Sequence, residues 1–174
     1  MAGAPRMKRA PALALSALVW SVGVPLAHGA IPWALSFVGP RLGWRAGRPS
    51  LGNELGLVPL AFGGALLAWV AVTGLARVRE LPETLELSWQ PKLFLASGPY
   101  ACTRNPMYVG ELALWLGWGL WFGSPLVALG AALLFAAMTR AIRREERDLG
   151  ARFADSYPQY LDAVPRWLGR VRWR

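Results

Sequence analysis

Hydrophobic and polar positions along this chain fall into long blocks. No charged residue occurs between Ala10 and Pro40. The part up to Ala27 is long enough to cross a hydrocarbon core, which takes about 20 apolar residues. Pro25, Gly29 and Pro32 argue against one straight helix through the whole stretch. The pattern therefore predicts a span over about 11–28, then an irregular or interfacial piece to about 40. A rival reading is a signal peptide. Arg6, Lys8 and Arg9 would be its basic region and Ala27-His28-Gly29 its small-x-small cleavage site. The block from Leu55 to Leu75, 21 residues without a charge, predicts a second span.

The block from Leu112 to Met138 is 27 residues long and is broken by Gly123-Ser124-Pro125. One helix of that length would measure about 40 Å, more than a bilayer core needs. Gly123 can end a helix, Ser124 can cap the next and Pro125 suits its first position. This predicts a tight helical hairpin with arms at about 107–122 and 125–146. The chain then divides into N-terminal spans (1–78) and a second part (79–174) holding a loop, the hairpin and a polar C-terminal segment, all as one functional unit. Four crossings place residues 1–9, 76–106 and 140–174 on one side, with sixteen basic residues, and only Arg41, Arg45 and Arg48 on the other. The positive-inside rule makes the basic side cytoplasmic and leaves those three arginines without an explanation. Residues 80–99 form the one long loop, and a long loop in a small protein is often functional.

Composition narrows the picture. The 174 residues are 55% hydrophobic and carry a net charge of +9, with ten Trp, one His and one Cys; the mean hydropathy is +0.32. Disorder is excluded, because disordered chains are poor in hydrophobic residues. Single Cys102 and single His28 exclude a disulfide framework and a multi-His or Cys-rich metal site, so no metal is expected. Tryptophan gathers at membrane interfaces. The basic excess suits a membrane surface, and no base-reading motif points to nucleic acid. Nothing in the chain marks an obligatory protein partner.

Chemistry-bearing residues gather in two islands that flank the hairpin. The first runs from Ser97 to Glu111 and holds Tyr100, Cys102, Arg104, Asn105, Met107 and Tyr108. The second runs from Arg140 to Tyr160 and holds Arg140, Arg143, Arg144, Glu145, Glu146, Arg147, Asp148, Tyr157 and Tyr160. In a single span Tyr108 and Glu145, 37 residues apart, would be about 55 Å apart. In a hairpin they become neighbours. Each island also has a plainer reading. Asn105-Pro106 is a good helix start by itself. The Arg143–Asp148 run could be a solvated helix face beside anionic lipid. Trp115, Trp118 and Trp121, three residues apart, suit packing or an interfacial belt. Cys102 has no histidine near it in sequence, which suits a small packed side chain. His28 reads as structural or interfacial.

The stretch SGPYACTRNPMYVGELALWLGWGLWFGSP followed by REERDLGARFADSYPQYLDAVPRW resembles the isoprenylcysteine carboxyl methyltransferase and phospholipid methyltransferase superfamily. The shared pattern is Gly98-x-Tyr100, Arg104-Asn105-Pro106-x-Tyr108, an apolar hairpin, Glu145-Glu146-x-x-Leu149, Phe153, Tyr157-x-x-Tyr160 and Val164-Pro165. It covers about residues 80–168. Asn105 stands where the eukaryotic enzymes have His, as in many bacterial members, so proton transfer by that position is not assumed. The resemblance implies an all-α integral membrane protein of about four transmembrane helices that uses S-adenosyl-L-methionine. It implies a cofactor site made of Lys92, Leu93, Phe94, Leu95, Tyr100, Asn105, Pro106, Met107, Tyr108, Glu145 and Glu146. Arg104, Asn105 and Tyr108 become the candidate catalytic residues, and Arg140 or Arg144 the candidate substrate contact.

These residue types suit the cofactor. A carboxylate such as Glu145 accepts from its ammonium or ribose diol, and tyrosine faces sit against its sulfonium. A carboxylate acceptor would need an orienting arginine; an amine would need a base. The expectation is a membrane methyltransferase acting on a lipophilic small molecule or lipid. It resembles a bacterial inner-membrane enzyme with its site and C-terminus in the cytoplasm. Rival expectations are a phospholipid amine N-methyltransferase and a non-catalytic scaffold that keeps the fold. A transporter would need charges at mid-membrane.

Overall fold

The structure is a computed structural model and describes residues 6–86 and 95–169. It is mostly helical. Helix α1 covers Arg9–Leu35 and α2 Leu51–Ala76. Helices α3 (Pro106–Phe122) and α4 (Pro125–Arg152) form the hairpin, and the short α5 covers Tyr157–Ala163. Helices α1, α2 and α4 are each long and apolar enough to cross a membrane. With exposed leucines and valines on their outer faces, they make this an integral membrane protein. The 17 residues of α3 measure about 26 Å, at the short end of what a crossing takes.

Helix α1 runs past the predicted end at 28 and absorbs the interrupting residues. Two π-helical turns, Val19–Gly23 and Leu26–Ala30, lie within it. Pro25 caps the second, and Pro32 sits in the first turn of the closing segment Ile31–Leu35. A proline lacks the N–H that a regular helix needs, and a π turn relocates the hydrogen bonds where that donor is missing. The start of α1 is tied down twice. Arg6–Lys8 (β1) pairs antiparallel with Thr84–Glu86 (β2). Arg9 then donates from its backbone to the Glu83 carbonyl (2.7 Å) and from Nη1 to the Leu81 carbonyl (3.1 Å).

The predicted hairpin forms. Gly123 takes the left-handed conformation (φ 57°) that ends α3. Ser124 accepts the Val127 N–H at 3.4 Å, and Pro125 opens α4. Helices α2 and α3 cross closely because glycines meet at the crossing. A Cβ on Gly63 would lie 2.6 Å from the Gly110 carbonyl oxygen, and one on Gly56 2.6 Å from the Gly117 carbonyl oxygen. Both pairs are seven residues apart, two helical turns, so they share one face on each helix.

At the hairpin turn, Arg41 lies over the rings of Phe37, Trp44 and Phe122 at 4.3, 5.0 and 5.0 Å. It also donates to the backbone oxygen and hydroxyl of buried Ser36. One of the three arginines on the sparsely charged side is therefore an aromatic staple. At the opposite end, Tyr157, Tyr160 and Val164 form a buried cluster with Ala96, Leu149, Phe153 and Ala163.

Candidate active site

Gly98, at φ 60°, starts a single 3-10 turn over Gly98–Ala101 and packs against Thr73 of α2. This turn brings Tyr100 near the start of α3, where it and Met107 line the same cleft. The Tyr100 carbonyl accepts the Tyr160 hydroxyl at 2.7 Å. One residue group further on, Thr103-Arg104-Asn105 clasps the C-terminal segment. The Arg104 N–H donates to the Pro165 carbonyl (2.9 Å), and both Thr103 Oγ1 (3.1 Å) and Asn105 Nδ2 (2.8 Å) donate to the Arg166 carbonyl. Asn105 occupies the N-cap position of α3, with Pro106 first in the helix, yet its side chain makes no cap hydrogen bond. The amide is held by Arg166 instead.

The hairpin joins the two islands at one contact. The Tyr108 hydroxyl donates to Glu145 Oε2 at 3.2 Å. Glu146, the next residue, turns elsewhere. It accepts from Arg166 Nε and Nη2 at 3.1 and 2.6 Å and faces Arg104 Nη1 at 3.3 Å. Arg166 was not foreseen. Its signal in the sequence is the Glu145-Glu146 pair, since two adjacent carboxylates on a half-buried helix face call for a cation. Among the described residues, Arg104 Nε is buried without a hydrogen-bond partner.

Burial pushes the Tyr100 phenol up to about 12, and the Glu145 charge adds to the rise. Burial and the Glu146 charge raise Tyr157 to about 12, against the pull of Arg104. Tyr160 is raised by burial and by its two tyrosine neighbours. The hydrogen bond to Glu146 raises Arg166. At neutral pH these phenols are donors and the guanidinium is charged.

Tyr100 and Met107 also close one end of an apolar cleft of about 1030 Å³ between α1 and α2. Its walls include Leu13, Ala17, Trp20, Leu67, Ala71 and Leu75. Pro106 is buried beneath. Leu95 is half-buried, and Lys92, Leu93 and Phe94 lie outside the described residues. Arg140 and Arg144 are exposed on α4, and Arg140 is bonded back to the Ala136 carbonyl of its own helix. No hydrogen bond or ion pair among the described residues joins either to Tyr108 or Glu145.

Fold and cluster together define a class: a small helical membrane protein with a polar site at the mouth of an apolar cleft. Comparison with known families makes this specific. Residues 58–156, more than half of the chain, match the phospholipid methyltransferase family, and the chain belongs to that family of membrane methyltransferases. No curated protein and no solved structure matches the chain.

Proposed function

We propose that this protein is an S-adenosyl-L-methionine-dependent methyltransferase that modifies a lipophilic acceptor drawn from the bilayer. The observation that carries the reading is the Tyr108–Glu145 hydrogen bond beside Tyr100 and Met107 at the mouth of the cleft. The donor set suits the cofactor. Glu145 keeps a carboxylate oxygen beyond the one bonded to Tyr108, for an ammonium or ribose diol. Buried Arg104 Nε is a donor without a partner among the described residues, suited to a carboxylate. Tyr100 and Tyr108 offer ring faces for a sulfonium. When bound, the cofactor supplies an electrophilic methyl group.

The chain's own residues do the rest by position. Tyr108 fixes the Glu145 carboxylate. The Arg104–Glu146–Arg166 clasp holds the C-terminal segment against the start of α3. The apolar walls admit a hydrocarbon chain and keep water out, and alignment in a dry pocket is most of what methyl transfer asks of an enzyme. In this reading α3 is a fourth crossing and the sixteen-cation side is cytoplasmic, as in a bacterial inner membrane. The test is calorimetric titration of the detergent-purified protein with S-adenosylmethionine. Saturable binding that Glu145→Ala abolishes supports the reading. A folded wild-type protein that does not bind supports a scaffold that has kept only the fold.

A further inference from the structure

Two of the three arginines on the sparsely charged side still lack a role. Arg45 and Arg48 face each other across a tight turn. Each backbone N–H donates to the other's carbonyl, at 2.9 and 3.0 Å. The two residues between them, Ala46 (φ 49°) and Gly47 (φ 75°), both take positive φ. Turns of this kind favour Asn-Gly or Gly-Gly, and the left-handed conformation costs an alanine about 1–2 kcal/mol. Side chains paired in this way leave the same face about 5 Å apart at Cβ, where like charges repel. Both are exposed, and among the described residues no hydrogen bond or ion pair reaches either guanidinium. Between Met1 and Arg79 the sequence has a single carboxylate, Glu54, which is exposed and pairs with neither.

The fold holds this repelling pair firmly. On one flank the Trp44 indole donates to the Trp121 carbonyl at 2.9 Å, and the Leu42 N–H donates to the Gly123 carbonyl at 2.9 Å. On the other, buried Asn53 donates to the Leu42 and Leu120 carbonyls at 3.0 and 2.9 Å and accepts the Ser50 hydroxyl at 2.7 Å. The 45–48 turn is thereby fastened to the junction of α3 and α4. Trp44 packs on Trp121 and Phe122 there, and tryptophans at the ends of membrane helices mark the level of the lipid headgroups. An apolar groove of about 500 Å³ opens beside the turn, with Leu42, Gly43, Ser50, Leu116, Leu120 and Ala128 in its walls. Gly43 and Ser50 stand just before and just after the turn. Leu42, Leu116 and Leu120 are about half exposed, and in a membrane protein such leucines meet acyl chains. Tyr108 lies at the other end of the 17-residue helix α3, a helix about 26 Å long.

We propose that the turn and the groove together bind an anionic phospholipid, with its phosphate on Arg45 and Arg48 and one acyl chain in the groove. Paired guanidiniums match phosphate oxygens in charge and in hydrogen-bond geometry, and the anion relieves their repulsion. This lipid is remote from Tyr108 and Glu145 and is not the methyl acceptor, so the site stands independently of the methyltransferase reading.

The test mixes the protein in neutral detergent with dioctanoyl phosphatidylglycerol or dioctanoyl phosphatidylcholine and counts bound lipid by native mass spectrometry. The two probes share chains and phosphate and differ in net charge. The wild type should keep one phosphatidylglycerol at a concentration at least tenfold below that for phosphatidylcholine. The basic side of the protein also attracts anions, so equal charge is removed at both ends. Arg45→Gln with Arg48→Gln should erase the preference and leave Tm unchanged, because both side chains are exposed. Arg143→Gln with Arg147→Gln, on the exposed face of α4, should keep it. Ala128→Trp, which fills the groove, should weaken phosphatidylglycerol binding at least tenfold with the arginines intact. Equal retention of the two lipids, or a preference that survives without Arg45 and Arg48, overturns the proposal. So does a site that millimolar inorganic phosphate empties and Ala128→Trp leaves unchanged, because the pair then takes phosphate alone.

Discussion

Glu145 and Glu146 are chemically identical neighbours, and the structure predicts that neutralising them does opposite things. Successive residues on a helix point about 100° apart, so one carboxylate meets Tyr108 and the other meets Arg104 and Arg166. Glu146→Gln leaves two guanidiniums without their counter-ion. Removing one partner of a buried ion pair costs about 3–5 kcal/mol. Glu146 and Arg104 are 14% and 13% exposed, but Arg166 is 39% exposed, and water screens its share. We take about 2–3 kcal/mol as the loss. At about 2–4 °C per kcal/mol for a chain of this size, Tm should fall by roughly 4–12 °C. Glu145→Gln keeps an acceptor for Tyr108 and should leave Tm nearly unchanged. In the proposed site it removes the charge offered to the cofactor, and a hydrogen bond to a charged group is worth about 1.5–3 kcal/mol. The affinity for S-adenosylmethionine should fall by roughly 10- to 150-fold. Thermal unfolding in detergent and calorimetry on the same preparations give both numbers. A Glu146 variant that unfolds normally but loses the cofactor, with a Glu145 variant that still binds it, would refute the division of labour.

Three further outcomes follow from the same structure. Gly63→Ala should push α2 away from α3 at a cost of about 1–3 kcal/mol, because its Cβ meets backbone, while Gly64→Ala, with nothing within 4 Å, should be neutral; equal Tm values for the pair would contradict the close crossing. Alkali should loosen the tyrosine cluster. Tyr100 and Tyr157 are raised from 10 to about 12 in the fold, so their contribution is complete below pH 10 and is lost as pH climbs toward 12. Tyrosinate absorbance should therefore rise later in folded than in denatured protein, and coincident curves would count against buried phenols. In a Cys102→Ser background, Arg48→Cys and Ser156→Cys should be labelled from opposite sides of the membrane; labelling from one side would remove the hairpin topology.

What could be read from the sequence alone follows from local physics. Spans are visible because twenty uncharged residues have few other places to be. The turn at Gly123-Ser124-Pro125 is visible because a left-handed residue, a cap and a helix-starting proline each leave a residue-type signature. Once the hairpin is granted, Tyr108 and Glu145 must approach each other, and they do. The end of α1 was misjudged at 28 because proline was weighed as a helix breaker. The π turns that carry the helix to Leu35 have no composition signature.

Tertiary structure decided the assignments that depend on direction. Two adjacent glutamates look alike in sequence, and only the position of Arg166, twenty residues on, separates the one in the clasp from the one that meets Tyr108. Asn105 reads as a helix cap, yet a carbonyl from the C-terminal segment takes its amide. His28 and Glu111 sit in separate blocks of the chain and carry no shared motif. They become a pair because the second π turn of α1, which holds His28, packs against α3. Sequence pattern determines which residues enter the membrane and where the chain turns, because hydrophobicity and capping act over a few residues. Which polar groups then meet inside it depends on how helices cross and rotate, and that is settled by contacts such as Gly63 on Gly110, made between residues far apart in the chain.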